Sequence, residues 1–111
     1  MRSDRERLYD ILESIQRIEA QAARGRVAFA DDELAQTAVV RWVEIIGEAA
    51  RGLTEELRQA HPEVPWRQMI AMRNVLIHGY FDIDVDLVWS VADNDLPKLA
   101  AQIRAIVKEV P

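Results

Sequence analysis

One short segment of the chain groups the side chains best suited to acid–base and phosphate chemistry. Arg73 is followed by four residues and then by His78, and Tyr80 lies two positions further on. An imidazole, with an ordinary pKa of about 6.5, both accepts and donates protons at neutral pH. A guanidinium is always charged, and its planar fork of donors fits phosphate oxygens. Arg73 and His78 are therefore candidates for binding an anion and transferring a proton at one site.

A helix over residues 65–78 is predicted to carry this segment and to stop at Gly79. On a helical wheel, Arg73 lies in the middle of the apolar arc of that helix. A guanidinium buried at such a place needs an acceptor. The acceptor is either a bound anion or, if Arg73 is purely structural, Glu44 or Glu48 on another helix.

His78 is predicted to point away from Arg73, by about 140° on the same wheel. The two side chains meet only if the helix end distorts, if Arg73 reaches across, or if a second copy of the chain supplies the partner. Asn74 lies one turn before His78 and should share its face, where it would orient the imidazole or bind phosphate. A surface amide at Asn74 and a helix cap at His78 are the structural alternatives.

The rest of the sequence also has the apolar periodicity of helices, and no alternating strand pattern of convincing length is present. The predicted helices run from Ser3 or Asp4 to near Gly25, from Asp31 or Asp32 to Leu53 with a short continuation capped by Thr54, from Asp82 or Asp84 through Trp89, and from after Asp95 to Val110. The second of these is apolar over most of its girth, which is typical of a central helix or of a subunit interface. The chain is therefore predicted to be a single all-α domain, residues 1–111, with four or five helices and at least a dimeric state.

Composition excludes several classes of protein. The 111 residues include no cysteine, so disulfides, thiolate metal sites and thiol nucleophiles are excluded, which suits a reducing cytosol. The charged N-terminus does not resemble a signal peptide, and no apolar run is long enough to span a bilayer. Asp82 begins a run that is similar to a calcium loop, but Leu87 stands where that loop needs glycine. We therefore expect a cytoplasmic protein with no metal, no cofactor and no membrane partner.

The pattern of Arg73, four residues, His78, one residue and Tyr80 resembles the signature of HepT-like proteins in the HEPN superfamily. Other segments over nearly the whole chain resemble landmarks of that family in the same order. These are Glu44–Ala49, Pro65–Trp66, Met72–Asn74, Asp86–Trp89 and Asp95–Pro97.

The resemblance implies a small four- to five-helix up-and-down bundle of HEPN type that forms a homodimer. It implies a metal-independent ribonuclease toxin of a HepT/MntA-type (type VII) toxin–antitoxin pair, with the motifs of both subunits lining a cleft at the dimer interface. Arg73 and His78 would be catalytic, and Asn74, Tyr80 and Glu48 would line or orient the site. The partner would be a MntA-like minimal nucleotidyltransferase, which neutralises the toxin by transferring AMP from ATP to Tyr80.

A function of another class also fits the residues. The chain could be a non-catalytic helical partner of a nucleotidyltransferase, with the motif serving as a docking and modification surface. The net charge of −5 favours this alternative slightly, because affinity for RNA usually depends on neutralising phosphates. Growth arrest by the wild-type chain, compared with a His78→Ala variant, discriminates between the two.

Overall fold

The computed structural model describes residues 1–78 and 82–111 of the protein. These residues are almost entirely helical, which confirms the predicted all-α class. In chain order the elements are α1 (Asp4–Ala22), α2 (Arg26–Ala30), α3 (Glu33–Gly52), α4 (Glu55–Ala60), α5 (Trp66–Leu76), β1 (Ile77–His78), β2 (Asp82–Ile83), α6 (Val85–Ser90), a π-helical turn (Val91–Asp95) and α7 (Leu96–Val107). In the described part of the chain, no helix combines the length and apolar character that crossing a membrane requires.

The long helices begin at the residues that the sequence indicates. Ser3 forms a capping box at the start of α1, because its hydroxyl accepts from the Glu6 N–H while the Glu6 carboxylate accepts from the Ser3 N–H. Asp32 caps α3 by accepting a hydrogen bond from the Ala35 N–H. That bond, together with the Arg24 guanidinium, holds the pKa of the Asp32 carboxyl below its ordinary value.

Helix α3 is the centre of the bundle. Helices α1 and α5 pack on it, and α7 packs on α1. The buried residues of α3 are Ala35, Gln36, Val39, Val40, Val43, Ile46, Gly47, Ala49 and Ala50. Trp42 and Ile45 stay half-buried at the edge of this face. The prediction that this helix is central is therefore confirmed.

Helix α3 approaches the backbone of α5 closely at Gly47. A Cβ atom placed on Gly47 would lie 3.0 Å from the carbonyl oxygen of Met69 and 3.3 Å from that of Ile70. Real side chains are rarely so close to a backbone, so glycine at this position lets the two helices touch. The contact brings the polar strip of α3, with Glu44 and Glu48, against the last turns of α5.

The end of α5 differs from the prediction. The helix ends at Leu76, and the next two residues form strand β1, in which Ile77 is paired with Ile83 of β2. The Leu76 carbonyl accepts a hydrogen bond from the Asp84 N–H, 2.8 Å from it. A β-branched residue such as Ile77 favours extended backbone, and the ribbon satisfies backbone groups that a helix end leaves unpaired. The predicted stop at Gly79 lies outside the described residues.

Two helical segments were also not anticipated. Helix α2 follows Gly25, whose φ of 98° lies in the left-handed region that glycine tolerates, and it is too short for periodicity to reveal. The predicted break between α6 and α7 is instead a continuous π-helical turn. Pro97, just after this turn, lacks an N–H, and its ring clashes with the carbonyl four residues earlier in a regular helix. A π-helical turn is a common way to fit such a residue without ending the helix.

Candidate active site

Arg73 lies on the last turn of α5 and reaches towards α3. Its Nε atom is 3.3 Å from Oε2 of Glu44, one of the two carboxylates named as the structural alternative to a bound anion. The expected burial is wrong, because 46% of the Arg73 side chain is exposed. A long side chain can leave an apolar helix face and carry its charged end into water. Arg73 therefore presents a solvated guanidinium at the rim of the α3–α5 contact.

A small cavity of about 130 Å³ surrounds this ion pair. Its lining residues are Glu44, Gly47, Glu48, Arg51, Ile70, Arg73 and Asn74. The structure thus brings together three of the predicted site residues, Glu48, Arg73 and Asn74. The side-chain oxygen of Asn74 accepts a hydrogen bond from Nη1 of Arg73 at 3.3 Å. Among the contacts of the described residues, the Asn74 side chain therefore helps to position the Arg73 guanidinium.

His78 occupies the β-ribbon that follows α5. Its side chain is 65% exposed, and Nε2 lies 3.4 Å from Oδ2 of Asp84. The other oxygen of Asp84 accepts from the Leu87 N–H at 3.1 Å and caps α6. Since a carboxylate only accepts, the contact favours the proton on Nε2 and leaves Nδ1 free to act on a substrate.

Asp84 is the site residue that sequence reasoning missed. It was identified only as a helix cap, and that role is confirmed. Its second contact depends on the ribbon, in which His78 is paired with Asp82 and Asp84 is the next residue on the same face. Because the segment was predicted to be helical up to His78, no pattern in the sequence indicated this neighbour.

The structure does not bring Arg73 and His78 together within one chain. No hydrogen bond or ion pair joins them in residues 1–78 and 82–111, and His78 does not line the cavity around Arg73. The predicted shared face of Asn74 and His78 is wrong, because α5 ends before His78. The third motif residue, Tyr80, lies outside the described residues.

Comparison with known proteins places the chain in a family. The sequence profile described as Ribonuclease HepT-like matches residues 11–106, a range that includes Arg73, His78 and Asp84. The chain belongs to the HepT-like ribonuclease family.

Individual relatives of this HepT-like chain agree with the match. It is 39% identical to a Thermococcus cleftensis protein named "Probable ribonuclease HepT", over 96% of this chain and 98% of the relative. It is 40% identical to a candidate RNase of Methanocaldococcus jannaschii, over 89% of this chain and 92% of the relative. A candidate RNase of Caldanaerobacter subterraneus is 37% identical over 73% of this chain and 72% of its own length. No solved structure matches the chain.

Both carboxylate contacts of the candidate site are partly open to solvent. The exposed side-chain fractions are 46% and 32% for Arg73 and Glu44, and 65% and 36% for His78 and Asp84. Even ion pairs this exposed contribute only about 0–1 kcal/mol. Both contacts are therefore weak. Within the described residues, no three His, Cys, Asp or Glu side chains are grouped so as to hold a metal ion.

Proposed function

We propose that this HepT-like chain is a cytoplasmic, metal-independent endoribonuclease and the toxin of a type VII toxin–antitoxin pair. The observation that carries the proposal is the exposure of its two candidate catalytic groups and the carboxylate contact that each makes. The Arg73 guanidinium and the His78 imidazole are both exposed, and each contacts one half-buried carboxylate. The match of the chain to a ribonuclease family supports the same activity.

The reaction needs two proton transfers and one anion site. One His78 imidazole takes the proton from a ribose 2′-hydroxyl, and the 2′-oxygen attacks the adjacent phosphorus. As the new P–O bond forms, the bond to the 5′-oxygen breaks, and an imidazolium returns a proton to that leaving oxygen. Arg73 stabilises the extra negative charge on the phosphorane oxygens. The products are a 2′,3′-cyclic phosphate and a 5′-hydroxyl.

The proposal includes a homodimer, because one chain carries a single motif histidine and the reaction uses an acid and a base. A two-fold axis beside the motif would place two copies of His78 and Arg73 on one cleft. Exposed apolar surface supports a contact there. The Val75 side chain, which follows Asn74 in α5, is 54% exposed.

The ends of the cleaved RNA test the mechanism. Purified protein in EDTA is expected to cut single-stranded RNA and to leave a 2′,3′-cyclic phosphate and a 5′-hydroxyl, as resolved by end-labelling and mass spectrometry. Sedimentation of the same sample should give the mass of two chains. Cleavage that needs added Mg²⁺ and leaves a 5′-phosphate would rule out the mechanism.

Neutralisation is proposed to occur at Tyr80, by a MntA-like nucleotidyltransferase. The phenol oxygen attacks the α-phosphorus of ATP, pyrophosphate leaves, and the phenolic proton passes to a base or to water. An AMP group two residues from His78 would add a bulky negative charge where the RNA phosphate must bind, and would repel it.

Mass spectrometry after incubation with the nucleotidyltransferase and ATP checks this step. We expect the peptide that contains Tyr80 to gain the mass of AMP while RNA cleavage falls. The chain offers a control, because its other tyrosine, Tyr9, is exposed. Modification should persist in a Tyr9→Phe variant and disappear in Tyr80→Phe. The opposite pattern would place the modification elsewhere.

A further inference from the structure

A second, larger cavity adjoins the one around Arg73. It has a volume of about 480 Å³ and lies between α4 and α5. Its lining residues are Glu55, Arg58, Gln59, Trp66, Arg67, Ile70 and Ala71. Ile70 lines both cavities, so they form neighbouring compartments of one surface. The volume lies within the range that is usual for small-ligand sites.

The two arginines of this cavity have no anionic partner in the described part of the chain. Most other arginines there are paired with carboxylates, namely Arg2, Arg17, Arg24, Arg26, Arg41 and Arg73. The Nε atom of Arg58 is moreover buried and has no hydrogen-bond acceptor. A guanidinium with a desolvated N–H and no carboxylate partner carries an unneutralised charge, which favours an anion at its other nitrogens. The single acidic residue of the lining, Glu55, already accepts a hydrogen bond from Gln59.

The floor of the cavity is apolar and held in place. The Trp66 indole N–H donates to the carbonyl oxygens of His61 and Arg58, at 2.9 and 3.2 Å, which fixes the ring beside the two guanidinium groups. Ile70 and Ala71 continue this apolar surface towards the Arg73 cavity. Trp66 itself is buried, so the guanidinium groups are what this cavity offers to single-stranded nucleic acid, as partners for its phosphates, beside the apolar surface of Ile70 and Ala71.

We propose that this cavity is a second phosphate-binding subsite, which holds the nucleotide next to the one at Arg73. The inference rests on the proposed ribonuclease function and names where its single-stranded RNA continues. It also explains how a chain with a net charge of −5 binds a polyanion. Binding depends on local guanidinium groups that carboxylates leave free, rather than on overall charge.

Binding of a labelled oligouridylate to the full chain carrying His78→Ala tests the subsite without cleavage. Adding Arg58→Gln and Arg67→Gln is expected to weaken binding about tenfold at about 0.15 M salt. The slope of log Kd against log salt should fall by about 1.4, since each phosphate contact on a single strand contributes about 0.7. Adding Lys98→Gln and Arg104→Gln instead removes the same charge from exposed positions on α7 and should leave the slope unchanged.

Further variants separate loss of the subsite from loss of the fold. Arg58→Lys with Arg67→Lys keeps both charges and should retain most of the affinity. Arg67→Gln alone changes an exposed side chain and should lower the slope by about 0.7 if the double variant does not fold. The proposal would be overturned if the slope of log Kd against log salt were the same for the Arg58/Arg67 variant as for the α7 variant. A fall in affinity that accompanies conversion of a dimer to monomers would also overturn it, because the face would then be a subunit interface.

Failure of the subsite proposal can be distinguished from failure of the proposed ribonuclease function. A chain that binds RNA through Arg58 and Arg67 but does not cut it would contradict the ribonuclease and leave the subsite intact. A chain that cuts RNA with unchanged efficiency after loss of both arginines would retain the ribonuclease and overturn the subsite. An oligodeoxyuridylate run in parallel determines whether the subsite distinguishes RNA from DNA.

Discussion

Replacing His78 with alanine is expected to lower the rate of RNA cleavage by at least about a thousandfold. The substitution removes both proton-transfer groups of a dimeric site, and general acid–base catalysis by a single group already contributes about 10²–10⁴. The loss should appear in kcat, with little change in RNA affinity. Because 65% of the His78 side chain is exposed, the thermal midpoint should barely change. Initial rates on a fluorogenic RNA, together with growth after induced expression, measure the effect.

The only other histidine of the chain is the matched control. His61 contacts Glu63 and Glu109, whose carboxylates are 3.2 and 3.5 Å from its ring nitrogens, on a part of the surface that the proposed reaction does not use. A His61→Ala variant should keep full activity and toxicity. If His61→Ala and His78→Ala are equally active, His78 is not the catalyst. If wild type neither cuts RNA nor arrests growth, the non-catalytic partner of a nucleotidyltransferase becomes the better account.

Replacing Arg73 with alanine is expected to lower kcat/KM by about a hundredfold or more. The guanidinium is the group placed to neutralise the phosphorane, and interactions with developing charge are stronger in the transition state than in the ground state. Arg73→Lys should recover only part of the loss, because an ammonium lacks the planar fork that binds two phosphate oxygens. Steady-state kinetics on a short RNA of defined sequence provide the measurement.

A Glu44→Gln variant separates the catalytic role of Arg73 from a structural one. Glu44 competes with the substrate phosphate for Arg73, and an exposed pair of this kind contributes about 0–1 kcal/mol. Removing the carboxylate charge should therefore strengthen RNA binding by up to about fivefold and leave the fold stable. If Glu44→Gln instead lowers activity as far as Arg73→Ala does, the pair is structural and Arg73 acts only when Glu44 holds it.

These expectations share one electrostatic feature of the molecule. The carboxylates beside the catalytic groups are weakly held, so they keep Arg73 and His78 oriented without blocking a phosphate. Each carboxylate has a second contact, because Asp84 accepts from the Leu87 N–H at the start of α6 and Glu44 accepts from the Arg41 guanidinium. An acceptor fixed to the backbone in this way suits the task of orienting an imidazole, whereas both contacts of Glu44 are to flexible side chains.

Much of this architecture could be predicted from local patterns. Apolar spacing and capping residues such as Ser3, Asp32, Thr54 and Asp84 identified the long helices and their starts. These features depend on interactions between residues a few positions apart, which a sequence displays directly. The pattern of Arg73, His78 and Tyr80 likewise indicated the family to which the chain belongs. Glu44 was named as a partner of Arg73 only as an alternative to a bound anion, and the burial on which that argument rested is not observed.

The features that sequence patterns did not predict depend on contacts between distant parts of the chain. Helix α5 stops at Leu76 because the chain returns and pairs as a ribbon, which moves His78 off the helix and beside Asp84. Arg73 is exposed because its long side chain leaves the apolar face of α5 and ends at the rim of the α3–α5 contact. The unpartnered arginines of the second cavity are recognisable only once α4 and α5 are packed together. Pairing, exposure and unmet charge depend on which distant segments become neighbours, and periodicity along the chain contains no information about that.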